Sequence, residues 1–76
     1  MSVALDRILA TLNAAEVGAL DRIAARMSSV AADLRAIGQD DLAGRADEAI
    51  AALNRADVAE FRRLRAFLQS KAGHLR

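Results

Sequence analysis

The sequence predicts an all-α fold: a small four-helix array made of two similar helical hairpins, with pairing into a dimer left open. Three observations predict it. Apolar residues recur at three- and four-residue intervals along most of the chain, the period of one buried helix face. Proline is absent, aromatic residues number two, and 19 of the 76 residues are Ala, a composition that favours helix over strand. Finally, a phrase with helix-start residues occurs twice. Leu12-Asn13-Ala14-Ala15-Glu16-Val17-Gly18-Ala19-Leu20 returns 41 residues later as Leu53-Asn54-Arg55-Ala56-Asp57-Val58-Ala59-Glu60-Phe61, and the register continues with Ile23 over Leu64 and Met27 over Leu68.

The first helix is expected from about Val3 to Leu12, with Ser2 as its N-cap and Leu5, Ile8, Leu9 and Leu12 on one face. Asn13 reads as the next N-cap, with Glu16 at the position of a capping-box partner. The second helix, residues 14 to 37, would then be some 24 residues or about 36 Å long. Val17, Leu20, Ala24, Met27, Ala31 and Leu34 line its apolar face, flanked by Ile23, Val30 and Ile37. The breadth of that face suits a bundle better than a two-stranded coiled coil.

Gly38 is the natural stop of the second helix, and Gln39-Asp40-Asp41 starts the third. The third helix is expected over residues 41 to 53, with Leu42, Ala46, Ala49, Ile50 and Leu53 inward; Gly44 inside it costs about 1 kcal/mol relative to Ala. Asn54 and Asp57 repeat the Asn13 and Glu16 arrangement, so the fourth helix is expected from Arg55 to about Ala72, burying Val58, Phe61, Leu64, Leu68 and Ala72, with Gly73 ending it. Neither junction carries Pro or Gly, so the competing reading at each Asn is an unbroken helix.

Size and composition narrow the function classes. One domain, residues 1–76, fits this length, and so small a domain buries only about 60–65% of its unfolded surface. The large apolar side chains after Met1 number 21, enough for a thin helical core. Cys is absent, which removes disulfides, thiol chemistry and thiolate metal sites and suits a cytoplasmic protein. Asp6 and Arg7 interrupt the place where a signal peptide needs its apolar run, and no apolar stretch approaches a membrane span, so no membrane association is expected.

Net charge is +1 but uneven. Residues 1–54 carry five Arg against eight acids, a net of −3; residues 55–76 carry five Arg and one Lys against two acids, a net of +4. In the fourth helix Arg55, Arg62, Gln69 and Arg76 recur every seven residues with Arg65 beside them, and Arg63 diverges from Arg62 by about 100° around the axis. This polar strip is either a solvated surface or one suited to an acidic protein face. Nucleic acid is the weaker reading, because stacking aromatics are lacking and overall charge is near zero. Phe67 lies at the edge of that helix's apolar face and is the candidate aromatic anchor.

No catalytic set is legible. His74 is the single histidine and falls in a tail, and the acids sit where helix ends and wet faces want them. There is no phosphate loop, zinc spacing or calcium loop, so neither cofactor nor metal is expected. The sequence therefore points away from an enzyme and toward a helical protein-interaction module: an adaptor, small chaperone, inhibitor or antitoxin-like partner. Its candidate contact residues are Val17, Leu20, Ile23, Met27, Val30 and Leu34 on the second helix, with Phe67 and the four arginines Arg55, Arg62, Arg63 and Arg65 setting partner choice. A structural homo-oligomer, paired through the second helix, is the alternative, and a homodimer fits both readings. The Leu/Ala/Arg-rich helices and the repeated "Leu-Asn-x-Ala-Asp/Glu-Val" phrase resemble, in texture, small helical chaperones of bacterial secretion and flagellar systems. They share no diagnostic motif with them, so no functional residue is carried over.

Overall fold

The computed structural model describes residues 3–13 and 20–75, the side chain of Leu20 excepted, and holds four helices and no strand among them. They are α1 (Val3–Asn13), α2 (Leu20–Ala36), α3 (Asp40–Asn54) and α4 (Val58–His74). Each packs on two neighbours in a closed ring: α1 on α2, α2 on α3, α3 on α4, and α4 back on α1. Among the described residues the diagonal pairs do not meet. The radius of gyration is 11.2 Å, the size of a compact domain of this length, about 11.4 Å.

Each helix turns a three-four spaced row inward, as the apolar period requires. The rows are Leu5, Ile8 and Leu12 in α1; Ile23, Met27, Val30, Ala31 and Leu34 in α2; Ala43, Ala46, Ala49, Ala52 and Leu53 in α3; and Phe61, Leu64, Leu68 and Ala72 in α4. No charged or polar residue is buried among those described. The inward face of α3 differs from the sequence expectation. A row of four alanines faces the centre, whereas Leu42 and Ile50 are only half-buried and pack on the edge of the core. The physical reason is volume. α3 lies between α2 and α4, and the bulky rows of those helices fill the shared space, so the close contact falls to the smallest side chains.

The turn from α2 into α3 follows the expected stop. Gly38 sits at φ 81°, the Gly38 N–H donates to Arg35 O (3.0 Å), and the Gln39 N–H donates to Leu34 O (2.8 Å). These two bonds define the Schellman end of a helix, in which a left-handed residue lets the chain reverse and satisfies the last carbonyls. α3 opens one residue earlier than expected, at Asp40, with Asp40 and Asp41 both in its first turn, where acids suit the helix dipole.

The turn from α3 into α4 overturns the reading of Asn54 as an N-cap. Asn54 is the last residue of α3, and the same Schellman pattern follows it. The Ala56 N–H donates to Leu53 O (3.0 Å), and the Asp57 N–H donates to Ala52 O (2.8 Å). The left-handed residue here is Ala56, at φ 60°. Arg55 and Ala56 are thus consumed by the turn, and α4 begins at Val58 rather than Arg55. The cap is Asp57, whose carboxylate accepts from the Glu60 N–H (3.1 Å). Asp-x-x-Glu is a capping-box sequence, but only half of the box forms, because the Asp57 N–H is already spent on the Schellman bond and the Glu60 carboxylate turns to Arg63. α4 also runs through Gly73 to His74, and Val58 stands exposed beside the cap instead of inward. The other junction, with Glu16 and the expected start of the second helix at residue 14, lies outside the described residues, as does Ser2.

Candidate functional site

The candidate residues of α2 are part of the protein's own core. Ile23, Met27, Val30 and Leu34 are all buried, Met27 and Val30 completely, against the neighbouring helices of the ring. They cannot reach a partner while the bundle is closed. Val17 and the side chain of Leu20 lie outside the described residues.

The four arginines do different jobs. Arg65 is half-buried and donates from Nη1 to Leu12 O of α1 (3.1 Å). One turn further on, Gln69 Nε2 donates to Asn13 Oδ1 (2.8 Å). α4 thereby clasps the end of α1, and Arg65 is a structural residue. Arg63 pairs with Glu60 one turn back on α4, through Nε to Oε2 (3.0 Å) and through Nη2 to Oε1. The hydrogen bond from Arg63 holds the Glu60 carboxyl below the ordinary carboxylate range and in turn raises Arg63 above its own usual value. Arg55 and Arg62 are exposed. The strip read along one face is therefore divided among a contact to α1, an ion pair and two exposed side chains.

Phe67 is the apolar candidate, among the described residues, that the structure leaves accessible. Its ring is 38% exposed, although Leu64 and Leu68 beside it are buried. The Lys71 ammonium rests over the ring, 5.6 Å from its centroid. Phe67 forms one wall of an open groove of about 580 Å³ between α4 and the first half of α3, where Asp40, Asp41, Leu42, Gly44, Arg45 and Glu48 complete the lining. A smaller continuation of about 360 Å³ runs along the same helix pair past Arg45 and Glu48 toward Arg55, Glu60 and Arg63. Residues sharing these grooves, Leu42 with Phe67 and Glu48 with Glu60, follow opposite orders along the two helices, as in an antiparallel hairpin.

On the α3 wall the sequence marks Leu42 as an inward residue and marks no contact residue. Asp40 and Asp41 read as helix-start acids, which they are, and Gly44 as a cost to the helix. The available signal was Gly44 itself, a costly residue with no turn to justify it. Within the groove Arg45 Nη1 pairs with Glu48 Oε2 (2.9 Å). Among the described residues Asp40 and Asp41 make no ion pair. Elsewhere on the surface, Arg7 joins Asp33 through two bonds of 2.8 and 3.0 Å between α1 and α2, which raises the Arg7 pKa, and Arg35 joins Asp47 between α2 and α3. No group of His, Cys, Asp and Glu among the described residues is arranged to hold a metal ion, and no described helix is long and apolar enough to cross a membrane.

Fold and groove together define a small four-helix bundle with an aromatic-walled, charge-lined furrow. Comparison with protein-family models, curated proteins and solved structures finds no match to this chain.

Proposed function

We propose that this chain is a non-enzymatic protein-interaction module of the cytoplasm, an adaptor, small chaperone, inhibitor or antitoxin-like partner that presents a preformed helical surface. One observation carries the reading: Phe67 stays 38% exposed on the wall of the α3/α4 groove while the other large apolar residues near it, Phe61, Leu64 and Leu68, are buried. A rigid aromatic beside a groove is the kind of residue that anchors a protein interface, because it brings much apolar area at little entropic cost. The charged lining suits the polar surround that such anchors have. The carboxylates of the groove lie in the open, with Glu48 answered by Arg45, which is poor ground for the dry, pKa-tuned pair that acid–base catalysis uses.

This moves the contact surface from α2, whose apolar row is taken up by the core, to α3 and α4. The test is a photo-crosslinking residue placed at position 67, with a control at the exposed Ala32 of α2, in extracts of the source cells. A discrete protein adduct at position 67 that is missing at position 32 is expected. Equal labelling at the two positions, or none at either, refutes the module.

A further inference from the structure

We propose that the α3/α4 groove receives a cationic amphipathic segment of a protein partner, an apolar side chain resting on Phe67 and Leu42 and Lys or Arg side chains reaching Asp40 and Asp41. The inference rests on the module reading above and names the chemistry of the partner.

Three independent features of the groove converge on it. The first is Gly44. Gly inside a helix is destabilising relative to Ala, and a Cβ at position 44 would meet nothing within 4 Å, so no internal packing demands the glycine. What the missing side chain does leave is a bare stretch of helix surface in the groove, where a partner's side chain or backbone can come close. The second is Phe67, the one large apolar side chain of the groove that its own chain leaves more than a third exposed. The third is charge. Arg45 is answered by Glu48, so among the described residues Asp40 and Asp41 are left as the acids without an ion pair at the start of α3, while the cation at the Phe67 end of the groove is Lys71. An acidic segment is repelled there and a basic one attracted. A volume of about 580 Å³ holds a few side chains, the footprint of a short peptide rather than of a folded domain.

The experiment titrates the full-length, ¹⁵N-labelled protein with a 14-residue peptide of Leu and Lys in a helical repeat, and separately with its Glu-for-Lys counterpart. The expected result is saturable amide shifts at Asp41, Gly44, Glu48 and Phe67 with the Lys peptide alone. Neutralising the wall with Asp40→Asn and Asp41→Asn together should weaken binding about fivefold, and Phe67→Ser about tenfold or more. Gly44→Ala separates binding from folding: it should weaken the peptide about threefold by filling the groove while raising the melting temperature by about 4 °C or more. Shifts outside the groove, an equal response to the Glu peptide, or unchanged affinity in Gly44→Ala would overturn the proposal. So would concentration-dependent shifts of the same residues without peptide, which would assign the groove to a second copy of the chain. If a crosslink at position 67 captures a protein while the Lys peptide leaves the groove unmoved, the module stands and this partner chemistry falls.

Discussion

Replacing Ala56 by Gly should stabilise this protein, and replacing Gly38 by Ala should destabilise it by a similar amount. Both residues occupy the left-handed position of a Schellman turn, at φ 60° and φ 81°, with the same pair of backbone hydrogen bonds around them. A left-handed backbone costs an L-residue roughly 1–2 kcal/mol. Gly removes that cost but restores about 0.5–1 kcal/mol of freedom to the unfolded chain. The net gain expected from Ala56→Gly is about 0.5–1 kcal/mol, or about 2–8 °C in melting temperature for a domain of this size. At Gly38 a Cβ would meet nothing within 4 Å, so Gly38→Ala isolates the backbone cost and should lower stability by the same order. Urea and thermal unfolding followed by circular dichroism at 222 nm measure both. The reasoning is refuted if Gly38→Ala destabilises as expected but Ala56→Gly leaves stability unchanged or lowers it. Ala56 would then not be left-handed in the folded chain, and α3 and α4 would be joined in another way.

Other outcomes follow from the packing and the charges. Arg65→Met, which keeps the stem and removes the donor to Leu12 O, should cost about 1–2 kcal/mol; faster amide exchange at the end of α1 than at α3 would locate the loss. Ala46→Leu should cost about 1–3 kcal/mol by forcing α3 off its neighbours, and the same change at the exposed Ala51 should be nearly neutral, both read by urea unfolding. The Glu60 carboxyl titrates below its unfolded value because Arg63 bonds to it, so its contribution is present above the unfolded pKa and is lost as pH falls through the folded one. Glu60→Gln should therefore flatten the acid limb of stability against pH, and stability curves that run parallel below pH 5 would contradict this linkage.

The helical class, the four elements and most of the core rows were legible because they depend on local chemistry. Apolar period, alanine content and the stop at Gly38 act within a few residues, and the ring of four helices is the simplest way to bury four such rows. The repeated phrase marked a junction correctly at Asn54 but misassigned its parts. Asn54, Ala56 and Asp57 can each cap or end a helix, and the choice was made by the reach of Asp57 N–H back to Ala52 O, a bond that sequence spacing does not rank. Which wall of α3 faces inward was decided by volume, since the alanine row fits where Leu42 and Ile50 would not. Arg65 illustrates the same limit. It reads as one more surface arginine until α4 is laid against the end of α1, 53 residues away in sequence. The groove of Phe67, Gly44, Asp40 and Asp41 likewise exists only once α3 and α4 are paired. The sequence determined which residues prefer helix and which prefer burial; the tertiary structure decided which apolar faces the chain would use for its own core and which aromatic it would leave exposed, because that allocation depends on volumes and helix contacts summed over the whole ring.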